Sequence, residues 1–106
     1  MARRLDENGI AEVIVGVLPA EIVRECSAER DTIRYAVRGE GIRLQKIVLK
    51  RASLRRLAED PNAAVKIEYL QKELLSAAAV RGEYRYPRPV VHPVARPLPV
   101  AMASAR

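Results

Sequence analysis

Between Thr32 and Arg38 the chain alternates, with Ile33, Tyr35 and Val37 on one side and Arg34, Ala36 and Arg38 on the other. That period predicts a half-buried strand. Gly39-Glu40 follows, with glycine at the first central position that a two-residue type II′ turn requires, and Gly41 comes next. Pairing Arg38 with Gly41 sets Val37 opposite Ile42 and Tyr35 opposite Leu44, a register that matches apolar to apolar. Beyond Leu44 the apolar phase moves to Ile47 and Leu49, which a bulge near Gln45-Lys46 accommodates.

On either side of this hairpin the pattern turns helical or ambiguous. The run Ile10 to Leu18 is rich in β-branched residues and predicts a buried strand over 11–18. Ile10, Ile14, Val17 and Leu18 also fit helical spacing, and Gly16 speaks against that alternative. Pro19 stands where a first helical residue belongs, and Ile22, Val23 and Cys26 recur at helical spacing, predicting a short helix over Pro19–Ala28 that exits through Ser27 to Asp31. On that helix Cys26 is expected to be a buried, inert thiol.

Downstream, Ser53 is suited to cap a short turn carrying Leu54 and Leu57, and Asp60-Pro61 to open a long helix. Its apolar stripe comprises Ala63, Ile67, Leu70, Leu74, Ala77 and Ala78, with Glu68 and Lys72 as an i,i+4 pair elsewhere on its surface. Val65 and Tyr69 fall almost opposite the stripe. They are candidate partner-interface residues, supporting a homodimer, unless Leu54 and Leu57 or Tyr84 and Tyr86 fold over them. After Gly82, Pro87, Pro89, Pro93, Pro97 and Pro99 crowd together, which predicts an extended, mobile segment. Arg96-Pro97-Leu98-Pro99 within it is suited either to a spacer or to a polyproline ligand for an aromatic groove.

Together these patterns predict an α+β chain with one small domain over 8–82. An antiparallel, hairpin-based sheet is packed by two helices, in the order βαββα or ααββα, and a Pro-rich basic tail over 83–106 is disordered. A chain of 106 residues with 49% hydrophobic positions fits one such domain.

Charge adds what periodicity does not show. The net charge is +6, yet residues 1–31 hold four arginines against seven acids, whereas residues 32–57 hold eight basic residues against Glu40 alone. The basic set is Arg34, Arg38, Arg43, Lys46, Lys50, Arg51, Arg55 and Arg56, and Arg34, Arg38 and Arg43 are expected on the hairpin's solvent face. Guanidinium and ammonium groups held on a ribbon can follow a phosphate backbone, so DNA or RNA is the leading candidate partner. Solvation of an exposed strand, or pairing of Arg34 or Arg38 with the acidic N-terminal region, accounts for the same charges without a partner. With no Phe or Trp and four tyrosines, no base-stacking platform is expected, so contact is backbone-directed.

The remaining chemistry is sparse. Cys26 is the single cysteine and His92 the single histidine, the latter in the Pro-rich segment, so no metal-ligand spacing arises and no cofactor is expected. Convergent acids, bases and nucleophiles are lacking, and neither an enzyme nor a small-molecule substrate is expected. Gly39-Glu40-Gly41 joins two strands and lacks the Lys-Ser/Thr of a phosphate loop. The apolar run Ile10 to Leu18 is too short to span a bilayer and, broken by Glu12, makes a poor leader, so the chain reads as cytoplasmic with no membrane contact. The functional expectation is a non-catalytic, self-associating binding protein whose basic hairpin meets an acidic partner. The alternative is a protein adaptor or assembly factor with no nucleic-acid contact.

Overall fold

The structure is a computed structural model, and it describes residues 6–88. The elements are α1 (Glu7–Val15), β1 (Val23–Ala28), β2 (Thr32–Arg38), β3 (Leu44–Lys50), α2 (Arg51–Ala58), α3 (Ala63–Ala77) and β4 (Gly82–Tyr86). The sheet runs in the order β1-β2-β3-β4. Its first three strands form an antiparallel meander, and β4 returns parallel to β3 after the two-helix crossover. The chain is therefore an α+β domain, with a mixed sheet in place of the expected antiparallel one. The segment from residue 89 onward, including His92 and Arg96-Pro97-Leu98-Pro99, lies outside the described residues.

One core lies between the helices and one face of the sheet. Ile10 and Ile14 from α1, Leu54 and Leu57 from α2, and Leu70 and Leu74 from α3 meet Ile33, Tyr35 and Val37 of β2, Ile47 and Leu49 of β3, and Tyr84 of β4. The alternation in β2 is as its sequence predicts. Ile67, Ala77 and Ala78 of the α3 stripe pack at the edge of the core. No helix among the described residues is long and apolar enough to cross a membrane.

Several expectations are corrected, each for a physical reason. The 11–18 segment is not a strand: α1 occupies its start, because Asp6 accepts the Gly9 N–H at 2.7 Å and Glu7 sits in the first turn. That capping, together with burial of Ile10, Ala11, Ile14 and Val15 on one side, outweighs the β-propensity of the branched residues. The Pro19–Ala28 helix does not form either. Pro19 opens a turn, its carbonyl accepting the Ile22 N–H at 3.0 Å, and the chain then enters β1. Glu29 N–H donates to the Thr32 carbonyl at 2.8 Å, so Arg30-Asp31 is a two-residue hairpin turn where a helix exit was expected. Cys26 is consequently exposed on an edge strand and is not a buried thiol.

The β2–β3 register also differs. Tyr35 lies opposite Ile47, not Leu44, and Ile33 opposite Leu49. The tight Gly39-Glu40 turn gives way to a loop over 39–43, in which Gly41 takes φ +84°. The N–H groups of Arg43 and Leu44 both donate to the Ala78 carbonyl, at 2.8 and 3.2 Å, so the end of α3 holds the loop open. The bulge foreseen near Gln45-Lys46 has a counterpart in the β3–β4 pairing, whose register shifts between Leu44 and Lys46.

The domain extends past residue 82. In Glu83-Tyr84-Arg85-Tyr86 aromatic and charged residues alternate, Tyr84 is buried, and its hydroxyl donates to Glu73 at 3.0 Å. The start of the expected tail is thus the fourth strand. Ser53 lies inside α2, not at its cap. The long helix starts two residues after Pro61, its entry shaped by Asp60, which accepts the Asn62 N–H on its carboxylate at 2.7 Å and the Ala63 N–H on its carbonyl at 3.0 Å.

Candidate nucleic-acid interface

In an antiparallel ladder directly opposed residues project to the same face, and successive residues alternate. Since Ile33, Tyr35 and Val37 point to the helices, Thr32, Arg34, Ala36 and Arg38 point away from them. Their partners set the remainder of that face: Lys46, Val48 and Lys50 from β3, and Val23, Glu25 and Ser27 from β1. Lys46 pairs with Glu83 and Val48 with Arg85 of β4, which adds those two side chains. The helix-free face therefore carries Arg34, Arg38, Lys46, Lys50 and Arg85 against Glu25 and Glu83.

The face is shaped as well as charged. Val48 is only 4% exposed although it points away from the core; it lies between Arg34 and Arg85 in the sheet, and long basic side chains can cover apolar surface with their stems while their charged heads stay in water. Beside it a shallow depression of about 360 Å³ is lined by Glu25, Cys26, Ser27, Arg34, Tyr35, Ala36, Lys46 and Val48. Ser27 and Ala36 are the small residues of this lining, beside the basic Arg34 and Lys46. Arg34 pairs with Glu29 at 3.2 Å and Arg85 with Glu83. Arg38, Lys46 and Lys50 make no ion pair among the described residues.

The expected basic set therefore divides. Arg34, Arg38, Lys46 and Lys50 share the open face. Arg43 is exposed in the 39–43 loop, outside the strands. Arg51 and Arg55 belong to a different structure altogether: Arg51 Nη1 lies 3.1 Å from Glu7 Oε1, Arg55 Nε 2.7 Å from Glu7 Oε2, and Arg51 Nε donates to the Glu29 carbonyl at 2.6 Å. These contacts tie α1, α2 and the β1–β2 turn together. The Arg55 and Arg51 guanidiniums hold the Glu7 carboxyl below its ordinary value. Sequence reasoning assigned Arg85 to the tail, as a residue able to extend the hairpin's basic surface; its segment is instead the fourth strand, and the alternation around it carried that signal.

The aromatic residues are placed elsewhere. Tyr35, Tyr84 and Tyr86 pair into the face that meets the helices, and Tyr69 is on α3. Tyr35 donates to Glu12 at 2.6 Å, and burial followed by that bond raises its pKa, so the phenol stays neutral. Burial and the bond to Glu73 do the same for Tyr84. Both hydroxyls act as fixed structural donors.

Two further surfaces complete the inventory. A groove of about 790 Å³ between α3 and β4 is lined by Tyr69, Glu73, Val80, Tyr84 and Arg88 among others, and Arg88 lies across it with Nε 3.8 Å from Glu73. On α3, Val65 and Tyr69 are 67% and 62% exposed. Neither candidate cover closes over them: Leu54 and Leu57 are in the core, and Tyr86 lines only a flank beside Tyr69. Among the described residues no group of three or more His, Cys, Asp or Glu is placed to hold a metal ion. Comparison with protein-family models, with curated proteins and with solved structures gives no match.

Proposed function

We propose that the chain is a non-catalytic binding protein that engages the phosphate backbone of a nucleic acid through the helix-free face of its sheet. The observation that supports this is the co-facial placement of Arg34, Arg38, Lys46 and Lys50, with Arg85 beside them, on a face with no aromatic side chain. Arg34 and Arg38 are four residues apart on one strand, about 13 Å. That distance spans about four base-pair steps of a duplex, so the two guanidiniums address different phosphates. Contacts of this kind give affinity with little sequence preference.

The test is binding of the full chain to unrelated duplex DNA and RNA fragments, followed by anisotropy from about 50 to about 200 mM salt. Arg38→Gln, Lys46→Gln and Lys50→Gln are combined in one variant, because these three side chains have no ion-pair partner among the described residues to release. If each neutralises one phosphate, the log–log salt slope becomes shallower by about 2.7 in the variant. Absence of binding at about 50 mM salt overturns the nucleic-acid assignment and transfers the face to an acidic protein surface.

A further inference from the structure

Among the described residues the large exposed hydrophobics are Val13, Val23, Val65, Tyr69, Leu75 and Val80. Val65, Tyr69 and Leu75 belong to α3, and Val80 follows it directly. Val65, Glu68, Lys72 and Leu75 succeed one another at intervals of three, four and three residues, the spacing of a single coiled-coil seam. Tyr69 flanks this seam. It faces away from Leu70 and Leu74, which hold α3 to the core.

The charged pair in the middle of the seam identifies its occupant. Glu68 and Lys72 are both exposed, and no ion pair joins them, although their i,i+4 spacing predicts one. A second copy of α3 laid antiparallel, with its two-fold axis beside residue 70, brings Glu68 against Lys72 of the partner subunit and Lys72 against Glu68 of the partner subunit. The same register sets Val65 against Leu75 of the partner subunit and Leu75 against Val65 of the partner subunit. Two inner layers of opposite charge and two outer apolar layers result, and one surface is its own complement, as a two-fold interface demands.

We propose that α3 is the homodimer interface of this protein, formed by antiparallel pairing of the seam Val65, Glu68, Lys72 and Leu75, with Tyr69 closing its flank. The seam is four residues on one 15-residue helix, a small contact beside the roughly 800 Å² per partner of a standard stable interface, so a dimer of the micromolar class is expected. It lies across the helix layer from the open sheet face, and it stands whether or not that face binds nucleic acid.

Sedimentation velocity of the full chain between about 5 and about 300 µM, a range that brackets a micromolar dissociation constant, tests the proposal. The wild type is expected to pass from monomer to dimer. Glu68→Lys and Lys72→Glu each bring like charges together across the seam and are expected to weaken the dimer by at least tenfold. An equimolar mixture of those two single variants, and the double variant E68K/K72E, each restore opposite charges and are expected to dimerise again. All four positions are on the exposed side of α3, and far-UV circular dichroism verifies that the helix is intact. A wild type that remains monomeric throughout overturns the proposal. So does a dimer indifferent to both single substitutions, or one that neither the mixture nor the double variant rescues.

Discussion

Replacing Ser53 by alanine is expected to stabilise the protein. Ser53 is the one buried polar residue among the described positions, 4% exposed within α2, and its Oγ has no hydrogen-bond partner. A buried hydroxyl left unbonded costs about 1–3 kcal/mol of desolvation, and alanine improves helix propensity by about 0.5 kcal/mol. Against this, deleting one oxygen leaves a small void worth about 0.4 kcal/mol. The net expectation is a gain of at least about 1 kcal/mol, which for a domain of this size raises the melting temperature by about 4–8 °C. Urea unfolding read by circular dichroism measures it, with the midpoint rising and the m-value unchanged. The capping role suggested by sequence predicts the opposite sign, a loss of about 1 kcal/mol. A destabilised Ser53→Ala therefore refutes the unsatisfied-hydroxyl argument.

The ion pairs of Glu7 and Asp60 predict an acid limb. Arg55 and Arg51 hold Glu7 below 4.5, and Lys66 with the Asn62 N–H holds Asp60 below 3.8; the unfolded chain thus binds more protons in acid. The stability these pairs contribute is present above those ordinary values and is lost as pH falls through the lower folded ones. Thermal melts of Glu7→Gln between about pH 5 and about pH 3 are expected to show a flatter decline than the wild type, and an unchanged slope counts against the Glu7 contacts. The exposure of Cys26 on β1 predicts stoichiometric reaction with a thiol reagent in the native protein; labelling only after denaturation contradicts the edge-strand placement. Leu74→Ala, at a fully buried position of α3, is expected to cost about 2–5 kcal/mol in urea unfolding, and a loss under about 1 kcal/mol places α3 off the core.

Strong local periodicity carried furthest. β2 was legible to its ends because Ile33, Tyr35 and Val37 alternate against charged residues over a full strand, a pattern with one solution when a single face is buried. The α3 stripe was legible for the same reason. Ile10–Leu18 was not, since a short apolar run satisfies either period, and Asp6, outside the run, decided it through the Gly9 N–H. Residues 22–26 misled because Cys26 and Val23 satisfy helical spacing while serving an exposed strand whose formation depends on β2. Of the candidate interface, Arg34 and Arg38 were assigned to the solvent face from alternation alone. Arg51 and Arg55 were grouped with them by chain proximity, which carries no information about direction once the chain turns into α2.

The sequence by itself determined the α+β class, the identity of the central strand, the apolar stripe of the long helix, the segregation of charge and the outward face of β2. Each is a property of neighbours within a few residues, where period, cap and turn chemistry act. Only the tertiary structure decided that Gly82–Tyr86 adds a parallel strand, that Ile47 and not Leu44 lies opposite Tyr35, that Arg51 and Arg55 pair with Glu7, and that Lys46, Lys50 and Arg85 join Arg34 and Arg38 on one face. Those outcomes depend on contacts between segments distant in sequence, such as the Ala78 carbonyl that accepts two N–H groups from the β2–β3 loop. Local pattern fixes which side of an element is apolar; the joint burial of all such sides fixes which elements meet.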